Sequence, residues 1–190
     1  MGLAIRIARR IGVHKDGAHY IMSAWTTEMR RRTWRLLRIL DVKALESQGA
    51  EADTYSLKSD TQLPQNTFDL SWDPCEYAPK APTPEVVFTE MTFPLVQAEL
   101  SSFLQSLLED EHSLFDDVQS YVDYHGPRLQ HQRDRIYSTY LKDIDMNDPM
   151  QRMTLAVTDL SFRKFFLIVH QPLLKHPSKK DDDYQDLSDK

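Results

Sequence analysis

Cysteine is almost absent from this chain of 190 residues. The single Cys75 excludes an intramolecular disulfide, and it excludes a thiolate zinc cluster assembled within the chain. Its neighbours Asp73 and Glu76 raise a thiol pKa, so they do not activate it as a nucleophile. Glycine is scarce too. Gly2, Gly12, Gly17, Gly49 and Gly126 are dispersed, whereas a phosphate loop or a dinucleotide fingerprint needs clustered glycines that let backbone approach a phosphate. No G-x-S-x-G elbow exposes a serine. No apolar run approaches the roughly 20 residues that span a bilayer, and Arg6, Arg9 and Arg10 interrupt the amino terminus before the apolar core of a secretory signal forms. These absences lead us to expect a soluble intracellular protein that is not an enzyme, with no cofactor and no catalytic, cofactor-binding or metal residues.

The charge is uneven. Residues 1–43 hold ten Lys or Arg against Asp16, Glu28 and Asp41, a balance of +7, which leaves -13 for the remainder of a chain whose net charge is -6. That total argues against nonspecific nucleic-acid binding by the whole surface, because phosphate contacts require concentrated Lys and Arg. With 41% hydrophobic and 27% charged residues, the composition suits one globular domain with a real core.

The periodicity is helical, without strict alternation or a fixed repeat. Ala4, Ile7, Ala8 and Ile11 predict a short amphipathic helix stopped by Gly12 as a left-handed cap. Trp25, Met29, Thr33, Leu36, Leu37 and Leu40 predict the buried stripe of a second helix capped by Ser23, with Arg31, Arg35 and Arg38 on its opposite face. We expect those arginines to form a solvated face paired with the acidic remainder, Arg38 with Asp41 among them, and Trp34 to be a core or rim aromatic. Residues 44–84, with Pro64, Pro74, Pro79, Pro82 and Pro84, predict a long proline-rich loop packed across helices. Val87 to Asp110 predicts a helix that kinks or starts late at Pro94. A short turn is expected around Ser113 to Tyr124, then a helix begun by Pro127 and carrying Leu129, Ile136, Tyr140, Leu141 and Ile144. Asp148 and Pro149 open the last helix, with Met153, Val157, Leu160, Phe165 and Val169 as apolar positions and Pro172 as its end. The expected architecture is an all-α, irregular multi-helix domain over 1–176, comprising a basic helical pair (1–43), the proline-rich loop (44–84) and a helical remainder (85–176). Residues 177–190 read as a disordered acidic tail.

Candidate chemistry is thin. His112, His125, His131 and His170 lack the i, i+4 spacing of a helical zinc site and read as surface or partly buried side chains. Glu109, Asp110, Glu111, Asp116 and Asp117 lack the ordering that folds oxygens around calcium and read as a solvated acidic face.

Three motifs share a context. Ala4 to Gly17 (A-I-R-I-A-R-R-I-G-V-H-K-D-G), Glu28 to Asp41 (E-M-R-R-R-T-W-R-L-L-R-I-L-D) and Asp60 to Asp69 (D-T-Q-L-P-Q-N-T-F-D) together resemble the regulatory, or middle homology, region of fungal zinc-cluster (Zn2Cys6-type) transcription factors. The matching positions are Ala4, Ala8, Gly12, His14, Asp16 and Gly17, then Glu28 to Arg32, Trp34, Leu37, Leu40 and Asp41, then Gly49, Asp60, Leu63, Pro64, Asn66 and Asp69. Arg35 stands where the resemblance expects a second aromatic, Val42 where it expects arginine, and Ala50-Glu51 where it expects Arg-Pro. The resemblance implies a nuclear transcription regulator, possessing the regulatory region without its zinc module and working by contacts with other regulators or by self-association. DNA is then reached only indirectly, through a missing amino-terminal module where zinc is expected, and no membrane is involved. It further implies that upstream helices would cover the stripes of Ala4 to Ile11 and Trp25 to Leu40, so those stripes are expected to be partly exposed and folding marginal or partner-dependent. The competing readings are a stand-alone helical interaction protein that binds or sequesters regulators, and an enzyme of unrecognised type.

Overall fold

The computed structural model describes residues 2–48, 59–74, 80–110 and 117–175. Gly49, Cys75, Pro79, Glu111, His112, Asp116 and the 177–190 tail lie outside them. Among the described residues five α-helices follow in order: α1 (Gly2–Arg10), α2 (Ala24–Gln48), α3 (Thr92–Glu109), α4 (Val118–Tyr140) and α5 (Pro149–Lys175), with 3-10 turns at Gly17–His19 and Asp69–Ser71. No strand occurs among the described residues. The chain is all-α.

Local chemistry explains the helix ends. Gly12 adopts φ +76°, and the Val13 N–H reaches the Ala8 carbonyl (2.9 Å) while the Gly12 N–H reaches that of Arg9 (3.0 Å). This double closure satisfies two orphan carbonyls and requires a residue without Cβ. Ser23 Oγ accepts the Thr26 N–H at 3.2 Å and caps α2. Asp117 Oδ1 caps α4 through the Ser120 N–H (2.6 Å), and Asp148 Oδ1 caps α5 through the Met150 N–H (2.7 Å) with Pro149 as its first residue. Pro94 falls in the first turn of α3, where its missing N–H has no helical partner to lose.

Two prolines depart from expectation. Pro127 lies inside α4 and does not start it, and Pro172 lies inside α5, which continues to Lys175. At Pro127 the preceding residue is Gly126, whose missing Cβ removes the clash that normally drives a pre-proline residue out of helical geometry. The rest of the α4 register is held by Tyr121, His125, Leu129 and Ile136, which are buried at three- and four-residue multiples. Packing of that stripe outweighs one lost hydrogen bond. Helix α2 likewise continues past Lys43 to Gln48.

The main core joins α3, α4 and α5 around Val96, Leu100, Phe103, Leu104, Ile136, Phe162, Phe165 and Val169, with Val42 entering from α2. Thr154 and Thr158 line the inner face of α5, fully buried, and each donates its hydroxyl to a carbonyl one turn earlier (2.8 and 2.7 Å), so neither brings an unsatisfied group inside. A second, smaller cluster unites Ile5, Ala8 and Val13 with Trp34, which is 1% exposed.

The buried faces of α1 and α2 differ from the expected stripes. Ile7 (51% exposed), Ile11, Leu36 and Leu40 face outward, while Ile5, Ala8, Glu28, Arg31, Trp34 and Ile39 face in. Apolar periodicity assumes that arginine seeks solvent, and here it does not. Met153 and Leu160 of α5 are also exposed. Because Pro127 is itself exposed, Pro127→Ala restores an N–H to α4 without disturbing the core. It should raise the free energy of unfolding by about 1–3 kcal/mol, read as a higher denaturant midpoint in urea.

Candidate functional site

The side chains that share sequence motifs converge on one buried polar cluster between the turn after α1, the first half of α2 and the 59–72 segment. Asp16 is its centre, with 0% exposure. The Arg31 guanidinium grips its carboxylate with Nε to Oδ2 and Nη2 to Oδ1, both at 2.8 Å. Asp16 also accepts the Ala18 N–H (2.9 Å), which forms the 3-10 turn, and the Gln62 N–H (2.9 Å), which draws in the 59–72 segment. Arg31 further donates to Gln62 Oε1 at 3.1 Å. The Arg31 hydrogen bonds, with help from the two backbone donors, hold the Asp16 carboxyl well below the usual carboxylate range despite burial.

Asp60 completes the junction from the other side, accepting the Asp16 N–H at 2.8 Å and approaching Lys15 Nζ at 3.4 Å. That backbone donor is the main reason its pKa is lowered. One turn earlier on α2 a second pair repeats the arrangement. Glu28, 1% exposed, accepts Arg32 Nε at 2.9 Å and the Gln65 N–H at 3.3 Å, while Arg32 Nη1 reaches Asp69 at 2.5 Å. Burial pushes the Glu28 carboxyl up against the opposing pull of Arg32. Arg32 also lies 6.0 Å over the Trp72 ring, and Trp72 Nε1 donates to Thr67 Oγ1 (2.8 Å).

Asn66 extends the cluster to α3. Its Nδ2 donates to the carbonyls of Glu85 (2.9 Å) and Val87 (3.0 Å), and its Oδ1 accepts from Thr89 (2.8 Å) and Thr92 (2.9 Å). All four hydrogen-bonding capacities of the amide are used. Gly17 permits the closest approach of the turn to α2, since a Cβ there would sit 2.6 Å from Thr27 Oγ1 and 3.0 Å from Thr27 Cα.

The expected solvated arginine face is therefore corrected. Arg31 is buried, Arg35 donates to the Thr61 carbonyl (2.9 Å), and Arg38 reaches Gln105 of α3 and not Asp41. Arg30 closes over the Gly12 carbonyl. Trp34 is core, with its ring 6.0 Å from His14. What the sequence conceals is direction: a row of arginines reads as surface until its acidic partners, 15 to 37 residues away, are found folded against it.

The remaining candidates do not converge. His125 is fully buried on α4 between Tyr121 (4.3 Å) and Tyr124 (4.9 Å), which corrects its reading as a surface or partly buried side chain; His131 is exposed, and His170 stacks on Phe166 at 3.9 Å. Of the acidic residues, Asp110 pairs with Arg128 (2.6 Å), Asp117 caps α4 and Glu109 accepts from Gln105 (2.6 Å). Among the described residues no group of three or more His, Cys, Asp or Glu is placed to hold a metal ion, and no helix is long and apolar enough to cross a membrane. Two cavities flank the helices: one of about 480 Å³ between α4 and α5 beside Arg133, Asp159 and Phe166, and one of about 320 Å³ between α2 and α3.

A cluster whose carboxylates are each paired with an arginine, a lysine or a backbone N–H holds elements together, and its residues are those that carry the resemblance to regulatory regions. Comparison with known proteins agrees. Over 178 residues, 90% of the chain, it is 27% identical to the aurofusarin cluster transcription factor aurR2 of Gibberella zeae. Over 105 residues, 55% of the chain, it is 35% identical to the transcriptional regulator AacuB of Aspergillus aculeatus, and over 94 residues, 49% of the chain, it is 32% identical to the Zn(2)-C6 fungal-type transcription factor pigI of Monascus ruber. The chain is similar to a region of fungal transcription regulators. It spans 26%, 14% and 12% of these three relatives. No family model and no solved structure matches the chain.

In this regulator-like region the ion pairs make a direct prediction. Asp16→Asn leaves Arg31 buried without a counter-charge and should cost about 3–5 kcal/mol. Because the folded pKa of Asp16 lies below its unfolded value, its contribution is complete above the unfolded value of roughly 3.9 and declines as pH falls below it. The stability gap between wild type and Asp16→Asn, followed by denaturant unfolding, should be constant from about pH 5 to 7 and narrow below about pH 4.

Proposed function

We propose that the chain is the regulatory portion of a fungal zinc-cluster transcription factor that controls a pathway gene cluster from the nucleus, acting through protein contacts and not through catalysis. The observation that carries this reading is the similarity to aurR2 along 90% of the chain. It runs through both helical clusters, beyond the motif-rich first third. The motif residues add support, since Asp16, Glu28, Arg31 and Asn66 spend their hydrogen bonds on neighbouring side chains and on backbone. On this reading DNA is reached through a zinc module in the same regulator, and the partners are other regulators or a second copy.

A second reading, a helical protein that binds and sequesters regulators, is favoured by the outward apolar residues Leu3 and Ile7 of α1, Ile11 just after it, and Leu160, Phe166 and Leu167 of α5. Both faces suit protein partners.

The test fuses the chain to a heterologous DNA-binding domain in a fungal host carrying the matching reporter. The fusion should change reporter output severalfold, and Asp16→Asn should remove that effect. Sequestration predicts a different pattern: the fusion is silent, and the unfused chain in excess lowers the output of a full-length relative. If neither experiment moves a transcript while the chain accumulates folded, both readings fail.

A further inference from the structure

The cavity between α2 and α3 has a composition that the regulatory reading does not use. Its volume is about 320 Å³, within the range of small-molecule sites. Its walls are apolar, formed by Leu36, Leu40, Met91, Phe93 and Pro94 among others, and the charged side chains lining it are Arg32, Arg35 and Lys43. All three are cations. Arg32 is neutralised by Glu28 and Asp69. Arg35 is not: its hydrogen bond is to the uncharged Thr61 carbonyl, and among the described residues no carboxylate lies within 4.0 Å of it. Glu99, the carboxylate whose field reaches it, is held by Arg135.

Arg35 Nε is buried with no acceptor, and so is Nε2 of Gln97, a side chain 7% exposed that lines the same cavity. Arg38 is next along this face of α2 and is likewise matched with a neutral group, Gln105. Burial and the Arg38 charge both push the Arg35 pKa down. A desolvated guanidinium without a counter-ion is costly, and a bound anion relieves that cost where the protein supplies none. Apolar walls restrict such an anion to one carried on an apolar body.

We propose that this cavity is a binding site for a small organic anion, with its carboxylate received by Arg35 and its apolar body by Leu36, Leu40, Met91 and Phe93. The site lies at the packing surface between α2 and α3, so occupancy also braces the two helices.

The experiment titrates the full chain with 2-naphthoate and, separately, with uncharged 2-naphthalenemethanol by isothermal titration calorimetry. Naphthoate should bind 1:1 and about tenfold or more tighter than the alcohol. Arg35→Gln should bring naphthoate down to the affinity of the alcohol and leave the alcohol unchanged, whereas Arg35→Lys should retain part of the preference. Leu36→Trp, at a wall residue that is 57% exposed and therefore tolerant, should abolish binding of both. Equal affinity for the two probes, no binding of either at millimolar concentration, or naphthoate binding untouched by Leu36→Trp in a variant with wild-type circular dichroism would each overturn the proposal. So would binding of an acidic amphipathic peptide by a chain that ignores naphthoate. If Arg35→Gln does not fold, the probe pair and Leu36→Trp still decide the matter. The result is independent of whether the chain regulates transcription.

Discussion

The carboxylate of Asp16 and the guanidinium of Arg31 meet where solvent does not reach, and three stretches of chain depend on that meeting. Asp16 fixes the turn after α1 through Ala18, Arg31 fixes the phase of α2, and the Gln62 N–H fixes the start of the segment that runs back across both. A buried pair of this kind offers little net stability over an apolar substitute, because desolvating both ions offsets most of their attraction. Its effect is on specificity. Rotating α2 by one residue, about 100°, would separate the two buried charges, so the pair selects one helix phase against phases in which the exposed Leu36 and Leu40 turn inward.

That selection explains which parts of the fold were legible in the sequence. Four helix ends were, because capping is decided within a few residues: Gly12, Ser23, Pro94 and the Asp148-Pro149 pair each act locally. The all-α class, the core face of α3 and the later part of that of α5 were also legible, since Leu95, Leu100, Phe103, Phe165 and Val169 follow simple apolar periodicity. The faces of α1 and α2 were not. Their inward residues include Glu28, Arg31 and part of Arg35, whose partners lie far away in sequence, and no periodicity scale credits an arginine with burial. Pro127 was misplaced for a related reason, since packing of Tyr121, His125 and Leu129 on both sides holds a helix that local rules would begin there.

The candidate cluster was legible as a set of letters and illegible as an object. Asp16, Glu28, Arg31, Asp60, Asn66 and Asp69 stand out in the sequence as motif positions, yet only the structure shows them as successive links in one network from the α1 turn to the start of α3. Core residues can exchange among apolar types at small cost. A charged pair cannot change one member without leaving the other buried and unmatched.

Both hydrophobic clusters draw on α2, which gives Trp34 to one and Val42 to the other. Between those residues, facing α3, it presents Arg35 and Arg38, and α3 answers with Gln97, Ser101 and Gln105. This seam thus sets polar and cationic side chains beside the apolar Ile39, Val42 and Ala98. Polar side chains at such a seam can exchange partners without opening a core, since a lost hydrogen bond is replaced by another or by a ligand group. Arg35, where the resemblance expects an aromatic residue, converts what would be a third apolar contact into a site of unbalanced charge. Any group that supplies the missing negative charge gains its affinity from the seam itself, and in doing so couples the motif-bearing half to the three-helix core.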